Sequence, residues 1–262
     1  MEIFEYSFVT YAVLLIFFMA IVAGVVGSYI VVRRMVFVAG GITHASFGGI
    51  GIAYYAGLSP FLGALTFAVA TALGIELLGK KGQVREDSAI AMLWSLGMSI
   101  GVIFMFLTPG YTSNLMGFMF GDVLAVGFED LIAMSVMAFV VLTVAVIFYR
   151  PMMYVAFSPS FASLVGWNVQ LISILMSILV AVSIVLAIKA VGIILVLSLF
   201  TIPQTIANIY CKSLGKMMIM SSLFAILASL IGLFAAFAFD LPVGAVITAL
   251  LACVLIVIKI VR

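Results

Sequence analysis

The chain has 262 residues, 67% of them hydrophobic and 8% charged, with a mean hydropathy of +1.48. Soluble domains are about half apolar and about a quarter charged. An ordinary globular enzyme, a disordered tail and a nucleic-acid-binding domain are therefore excluded. The net charge of +2 decides little, because in a membrane the placement of charge matters more than its sum.

Apolar runs of about twenty residues, the length that crosses the hydrocarbon core, take the place of the short alternating strands of a β-barrel. The sequence predicts an all-α polytopic transmembrane bundle forming a single domain over residues 1–262. Nine segments qualify: 8–32, 35–57, 59–79, 88–108, 130–149, 168–187, 190–210, 217–239 and 243–260. The segment 35–57 is rich in glycine and could be broken, so eight spans remain an alternative. The start, Met-Glu-Ile-Phe-Glu, is acidic, and the run behind it is too long for the core of a cleavable signal. The first segment is expected to stay in the membrane.

Numbering the connections alternately places Arg33, Arg34, Lys80, Lys81, Arg85, Arg150, Lys212, Lys216, Lys259 and Arg262 on one side. Lys189 stands alone on the other. Lysine and arginine are retained on the cytoplasmic side, so the N-terminus is expected outside and the C-terminus in the cytoplasm.

In the second segment lies His44, the lone histidine, within Ala39-Gly-Gly-Ile-Thr-His44-Ala-Ser-Phe-Gly48-Gly-Ile-Gly51. An imidazole at membrane depth is costly unless it faces a cavity or a partner, and it is the commonest transition-metal ligand. Either a hydrogen bond to a neighbouring helix or a metal-ligand role fits the residues. Gly40 and Gly48 lie one turn either side on roughly the same face. Such small residues permit close helix approach and leave backbone carbonyls accessible to an ion.

Glu76, near the end of the third segment, is expected to reach the interface or to pair with Lys80 at i, i+4. Gly74-Ile-Glu-Leu-Leu-Gly79-Lys80-Lys81 starts like a phosphate-binding loop. It lacks the Ser/Thr and ends a membrane span instead of opening a soluble helix, so the chain is not expected to hydrolyse ATP unaided. The outer connection Thr108–Asp130 is apolar yet interrupted by glycines. It predicts a re-entrant segment near 115–127, with Asp122 capping the next segment through its carboxylate or lining an entrance. Irregular backbone at that depth needs protein or a wet cavity around it.

The inner connection holds Ser158-Pro-Ser-Phe161-Ala162-Ser-Leu164-Val165-Gly166. Ser158 and Pro159 form an N-cap and first-turn pair, and Gly166 is a stop. A short cytoplasmic helix near 158–166 follows, with Phe161, Leu164 and Val165 on one face. Further on, Pro203 interrupts the seventh segment, and Thr201, Gln204 and Thr205 supply polar groups beside the break. Asp240 caps the turn before Pro242. Cys211 and Cys253 have no metal or redox spacing, and the 16 methionines are scattered as apolar filler.

Four stretches together resemble a known family. Arg33-Arg34-Met with Thr43-His44-Ala45-Ser46, Leu115 to Leu124, Ser158-Pro159 through Ala162 to Gly166, and Ala190-Val191-Gly192 through Pro203 to Ala207 stand in the order found in ABC-type permeases that import zinc, manganese or iron. The resemblance implies a transport subunit of a bacterial or archaeal cytoplasmic membrane, zinc first among its cargoes and then manganese or iron. It implies a homodimer, a cytoplasmic ATP-binding-cassette ATPase pair, and an extracytoplasmic metal-binding protein that delivers the ion. No permanent cofactor is implied, ATP belongs to the partner, and nucleic acid has no part.

By the same resemblance His44 is the metal ligand on the path. Gly40, Gly48, Asp122, Thr201 and Gln204 are path candidates. Ser158, Pro159, Phe161, Ala162, Leu164, Val165 and Gly166 form the coupling helix for the ATPase. The family commonly carries an aspartate four residues before the histidine, and here that position is Gly40. The alternatives are a permease for iron–siderophore or corrinoid uptake and a stand-alone secondary transporter.

Overall fold

The computed structural model describes residues 7–80, 85–109 and 126–261. Among them are eleven helices and no strand. In chain order they are α1 Ser7–Val32, α2 Val36–Tyr55, α3 Pro60–Lys80, α4 Glu86–Leu107, α5 Phe128–Ile147, α6 Tyr149–Phe157, α7 Pro159–Leu164, α8 Val169–Leu199, α9 Ile202–Tyr210, α10 Leu214–Phe239 and α11 Val243–Val261. Asp122 and most of the expected re-entrant segment, residues 115–125, lie outside the described residues.

Eight helical runs among the described residues are long and apolar enough to cross a membrane, against nine segments expected. The difference lies in Val169–Tyr210, one run of 42 residues where the sequence suggested separate spans 168–187 and 190–210. Lys189 marked a connection between them, but helical backbone continues past it to Gly192. There φ is 79° and ψ 167°, a region that glycine alone occupies readily.

A straight helix of 42 residues would be about 63 Å long, twice the hydrocarbon core. Two contacts show where this run goes. Lys189 Nζ pairs with Asp130 Oδ1 at 2.5 Å, at the start of α5. Gly215, just beyond the run, donates its N–H to Tyr149 Oη at 3.0 Å, just beyond the end of α5. The chain leaves α5 at Tyr149, is back at the opposite end by Lys189, and has crossed again by Gly215. The run therefore passes over and returns, reversing near Gly192. Eight runs make nine passages when each of the others crosses once.

The chain divides into two compact units. The first takes α1, α5, the last part of α8, α9, α10 and α11. In it α1 packs against α5, α9 and α10, and α11 packs against α9 and α10. Small and polar residues make the closest contacts. A Cβ on Gly24 would collide with Ser222. Ser221 Oγ donates to the Gly24 carbonyl at 3.0 Å and lies 3.1 Å from Ser28 Oγ.

Pro203 has no N–H to offer the Leu199 carbonyl four residues earlier. The buried Gln204 side chain replaces it: Nε2 donates to Leu199 O at 3.1 Å and to Ala23 O of α1 at 2.7 Å. One amide thus satisfies the carbonyl that the proline frees and ties α9 to α1.

The second unit takes α2, α3, α4, α7 and the first part of α8. Here α2 packs on both α3 and α4, which also touch each other. Its glycines set the spacing. A Cβ on Gly48 would come within 2.7 Å of Gly97 O. Added carbons on Gly49 or Gly63 would run into the other's backbone, and one on Gly97 would lie 2.6 Å from Ala45 Cα. Close backbone approach of this kind is how helices gain van der Waals contact where lipid offers no hydrophobic drive.

Candidate functional site

His44 interrupts the most buried helix of the second unit. From Val38 to Ala53 only His44 and Ile52 escape full burial. Its polar neighbours are satisfied within α2 itself. Thr43 Oγ1 donates to Ala39 O at 2.7 Å, and Ser46 Oγ to Thr43 O at 2.6 Å. The His44 ring instead lies flat on the indole of Trp94 in α4, with centroids 4.4 Å apart and planes 2° from parallel. No hydrogen-bond partner for its two nitrogens falls among the described residues.

Stacking covers one face of the imidazole and fixes its plane, while the in-plane nitrogens that would bind an ion stay free of the contact. Trp94 was not singled out from sequence. It stands fifty residues away on another helix, and no local pattern links the two.

The path candidates separate into three groups. Gly40 and Gly48 are buried within one turn of His44, Gly48 facing Gly97. Thr201 and Gln204 belong to the first unit. Thr201 Oγ1 donates to Leu197 O at 2.6 Å, and Gln204 holds the two carbonyls beside Pro203. The Gln204 Oε1 is buried with no partner among the described residues. Asp122 lies outside the described residues. Glu76 accepts a hydrogen bond from Ser177 Oγ at 3.1 Å, so a serine of α8 answers this acid. Among the described residues no three His, Cys, Asp or Glu side chains converge. A closed structural cage, which for zinc uses four ligands, is not present among them.

Residues 158–167 form a capped helical turn. Ser158 Oγ accepts the Phe161 N–H at 3.3 Å and Pro159 occupies the first turn of α7. At the other end Gly166 takes φ 93°, its N–H bonds Ser163 O at 3.1 Å, and the Trp167 N–H bonds Ala162 O at 3.0 Å. That pair of bonds is a Schellman stop. Ala162 is fully buried, while Leu164 is 85% exposed and Phe161, Val165 and Trp167 are also exposed. Tyr154 braces Phe161 edge-on, with ring centroids 5.4 Å apart. The result is a rigid, short helix that presents a greasy face at a chain connection.

A helical membrane bundle with a half-buried imidazole at mid-helix and a preformed helix at a connection has the build of an integral membrane transport protein. The model of the ABC 3 transport family matches residues 5–262, and the chain belongs to that family. It is 33% identical over 241 residues to the manganese transport system membrane protein MntC of Listeria monocytogenes, spanning 92% of this chain and 86% of that one. It is 38% identical over 238 residues to a "probable metal transport system membrane protein" of Chlamydia pneumoniae, spanning 88% and 81%. In structure it is similar to PsaBC from Streptococcus pneumoniae in complex with Fab, with a TM-score of 0.86, 27% identity, and coverage of 97% of this chain and 91% of that one.

Proposed function

We propose that the chain is the membrane-spanning subunit of an ATP-driven importer for a divalent first-row transition-metal ion, and that His44 is a ligand on its path. One observation carries the reading. In a family of transport proteins, the lone imidazole is one of two side chains between Val38 and Ala53 that are not fully buried, and it keeps both nitrogens clear of its stacking partner. The motif resemblance put zinc ahead of manganese and iron. The name of the Listeria relative puts manganese first. Neutral imidazole serves several of these metals, whereas manganese favours added carboxylate or carbonyl oxygen, and Gly40 supplies no carboxylate.

A translocation station must bind loosely enough to release, so one histidine per chain, doubled in a homodimer, suits passage better than storage. In this reading the second permease copy completes the path, and a metal-binding protein delivers the ion from outside. An ATP-binding-cassette ATPase pair works from the cytoplasm and docks on α7 through Phe161, Leu164 and Val165. The N-terminus lies outside, and the single membrane domain occupies a bacterial cytoplasmic membrane.

The test is metal uptake by vesicles carrying the full complex and its delivery protein, with manganese, zinc and iron compared. His44→Ala is expected to reduce uptake of the preferred ion at unchanged protein level. Undiminished uptake would make His44 a packing residue and sink the assignment.

A further inference from the structure

We propose that the first unit carries a binding site for one anionic phospholipid in the groove between α1, α5 and α10. The groove has a volume of about 610 Å³, and its walls include Ile21, Leu142, Ala145, Tyr149, Met218 and Leu223. It exists because three of the positions facing it, Ala145, Gly215 and Ser222, carry small side chains or none. Gly215 and Ser222, both lining the groove, are seven residues apart on α10, so the groove extends about 10 Å along that helix, enough to seat the upper part of an acyl chain.

The walls are almost entirely apolar, and polar chemistry gathers at the Tyr149 end. Tyr149 Oη accepts the Gly215 N–H at 3.0 Å. The phenol's own proton has no acceptor among the described residues. Arg150 follows Tyr149 directly, and Lys212 and Lys216 flank Gly215 in sequence. All three cations are exposed, with no acidic partner among the described residues.

A slot for a hydrocarbon chain that is lined at one end by Tyr149 and Gly215, with three exposed cations within three residues of that pair in sequence, matches a lipid with a net negative phosphate headgroup. Basic side chains at a membrane surface attract such lipids. A protein helix in the groove would leave the phenol and the three cations without an anion, and a zwitterionic lipid would meet them with no net charge. The inference is independent of which ion the chain carries.

The experiment is native mass spectrometry of the purified, delipidated full-length protein, titrated with phosphatidylglycerol and with phosphatidylcholine of the same acyl chains. One phosphatidylglycerol per chain is expected, with a preference over phosphatidylcholine on the order of a hundredfold, from about 1 kcal/mol for each of the three cations. In R150Q/K212Q/K216Q, which changes exposed side chains only, the preference should vanish. Val146 lines the groove and is 77% exposed, so Val146→Trp should displace the lipid without touching the charges.

Equal binding of the two lipids, or a preference unchanged in the triple variant, would overturn the proposal. So would displacement of phosphatidylglycerol by millimolar inorganic phosphate, which would put the affinity in the cations alone. A shift from dimer to monomer in Val146→Trp with no change in bound lipid would assign the groove to a second copy and overturn it equally.

Discussion

His44 and Trp94 stack as parallel plates 4.4 Å apart. A face-on indole leaves the imidazole able to swing only within its own plane, so the geometry of any ligand on His44 is set partly by α4. An aromatic pair of this kind contributes about 0.5–1.5 kcal/mol beyond its buried area, equivalent to roughly two- to tenfold in an equilibrium constant. Trp94→Ala is expected to raise the KM for metal uptake by about that factor, with Trp94→Phe keeping most of the wild-type value. The chain has two tryptophans, so Trp167→Phe isolates the Trp94 emission. Manganese should quench it, and His44→Ala should abolish the quenching. Quenching that survives His44→Ala would place the ion elsewhere.

Leu164 stands 85% exposed on a helix capped at both ends, an apolar side chain with nothing in its own unit to cover it. If an ATPase covers it, Leu164→Asp buries an unpaired charge in that contact. Leaving such a charge uncompensated typically costs several kcal/mol. The variant should insert and accumulate normally, because the helix keeps its Ser158 cap and Gly166 stop, but it should fail to co-purify the ATPase. Co-purification at wild-type yield would mean that α7 only rests on the membrane.

The membrane fold and the α7 turn were legible in the sequence because both are written locally. A run of apolar residues reports its own burial in lipid, and Ser158, Pro159 and Gly166 specify a helix start and stop within nine residues. His44 stood out because an imidazole in lipid is expensive. Its partner did not, since stacking on Trp94 depends on how α2 and α4 are spaced, and that information sits in glycines that could equally have exposed carbonyls. Lys189 marked the reversal to within three residues. A charge inside an apolar stretch reads as a connection, and here it is a helical residue paired with Asp130, with the break itself at Gly192. The pairing of Glu76 with Ser177, 101 residues apart, had no sequence signal at all.

Gly97 tests whether the glycine contacts hold the site in register. A methyl there would come within 2.6 Å of both Cα and O of Ala45, the residue next to His44, and backbone cannot yield as a side chain does. Gly97→Ala is expected to cost about 1–3 kcal/mol, the usual penalty for overpacking, and to weaken metal-dependent quenching of Trp94 in step. Gly74 provides the comparison. Its nearest obstacle is the tip of Leu93 at 3.3 Å, so Gly74→Ala should be nearly neutral. Thermal unfolding of both variants in detergent separates the cases, and equal midpoints would show that the α2–α4 approach has slack.

Gly192 carries the reversal of the Val169–Tyr210 run, and its consequence is a statement about sides. Lys189 is joined to the Asp130 end of α5, while the α9–α10 turn is joined to the Tyr149 end through Gly215. Positions 189 and 213 must then face opposite compartments. Replacing Cys211 and Cys253 with serine removes the native thiols, after which Lys189→Cys and Ser213→Cys can be labelled one at a time. A membrane-impermeant maleimide applied to intact cells and to inverted vesicles should react with one in the first preparation and with the other in the second. Reaction of both from the same side would refute the double crossing. Because φ 79° with ψ 167° strains any residue with a Cβ by about 1–3 kcal/mol, Gly192→Val should also lower the amount of folded protein. A valine variant that is as stable as the wild type would show that the reversal does not depend on this glycine.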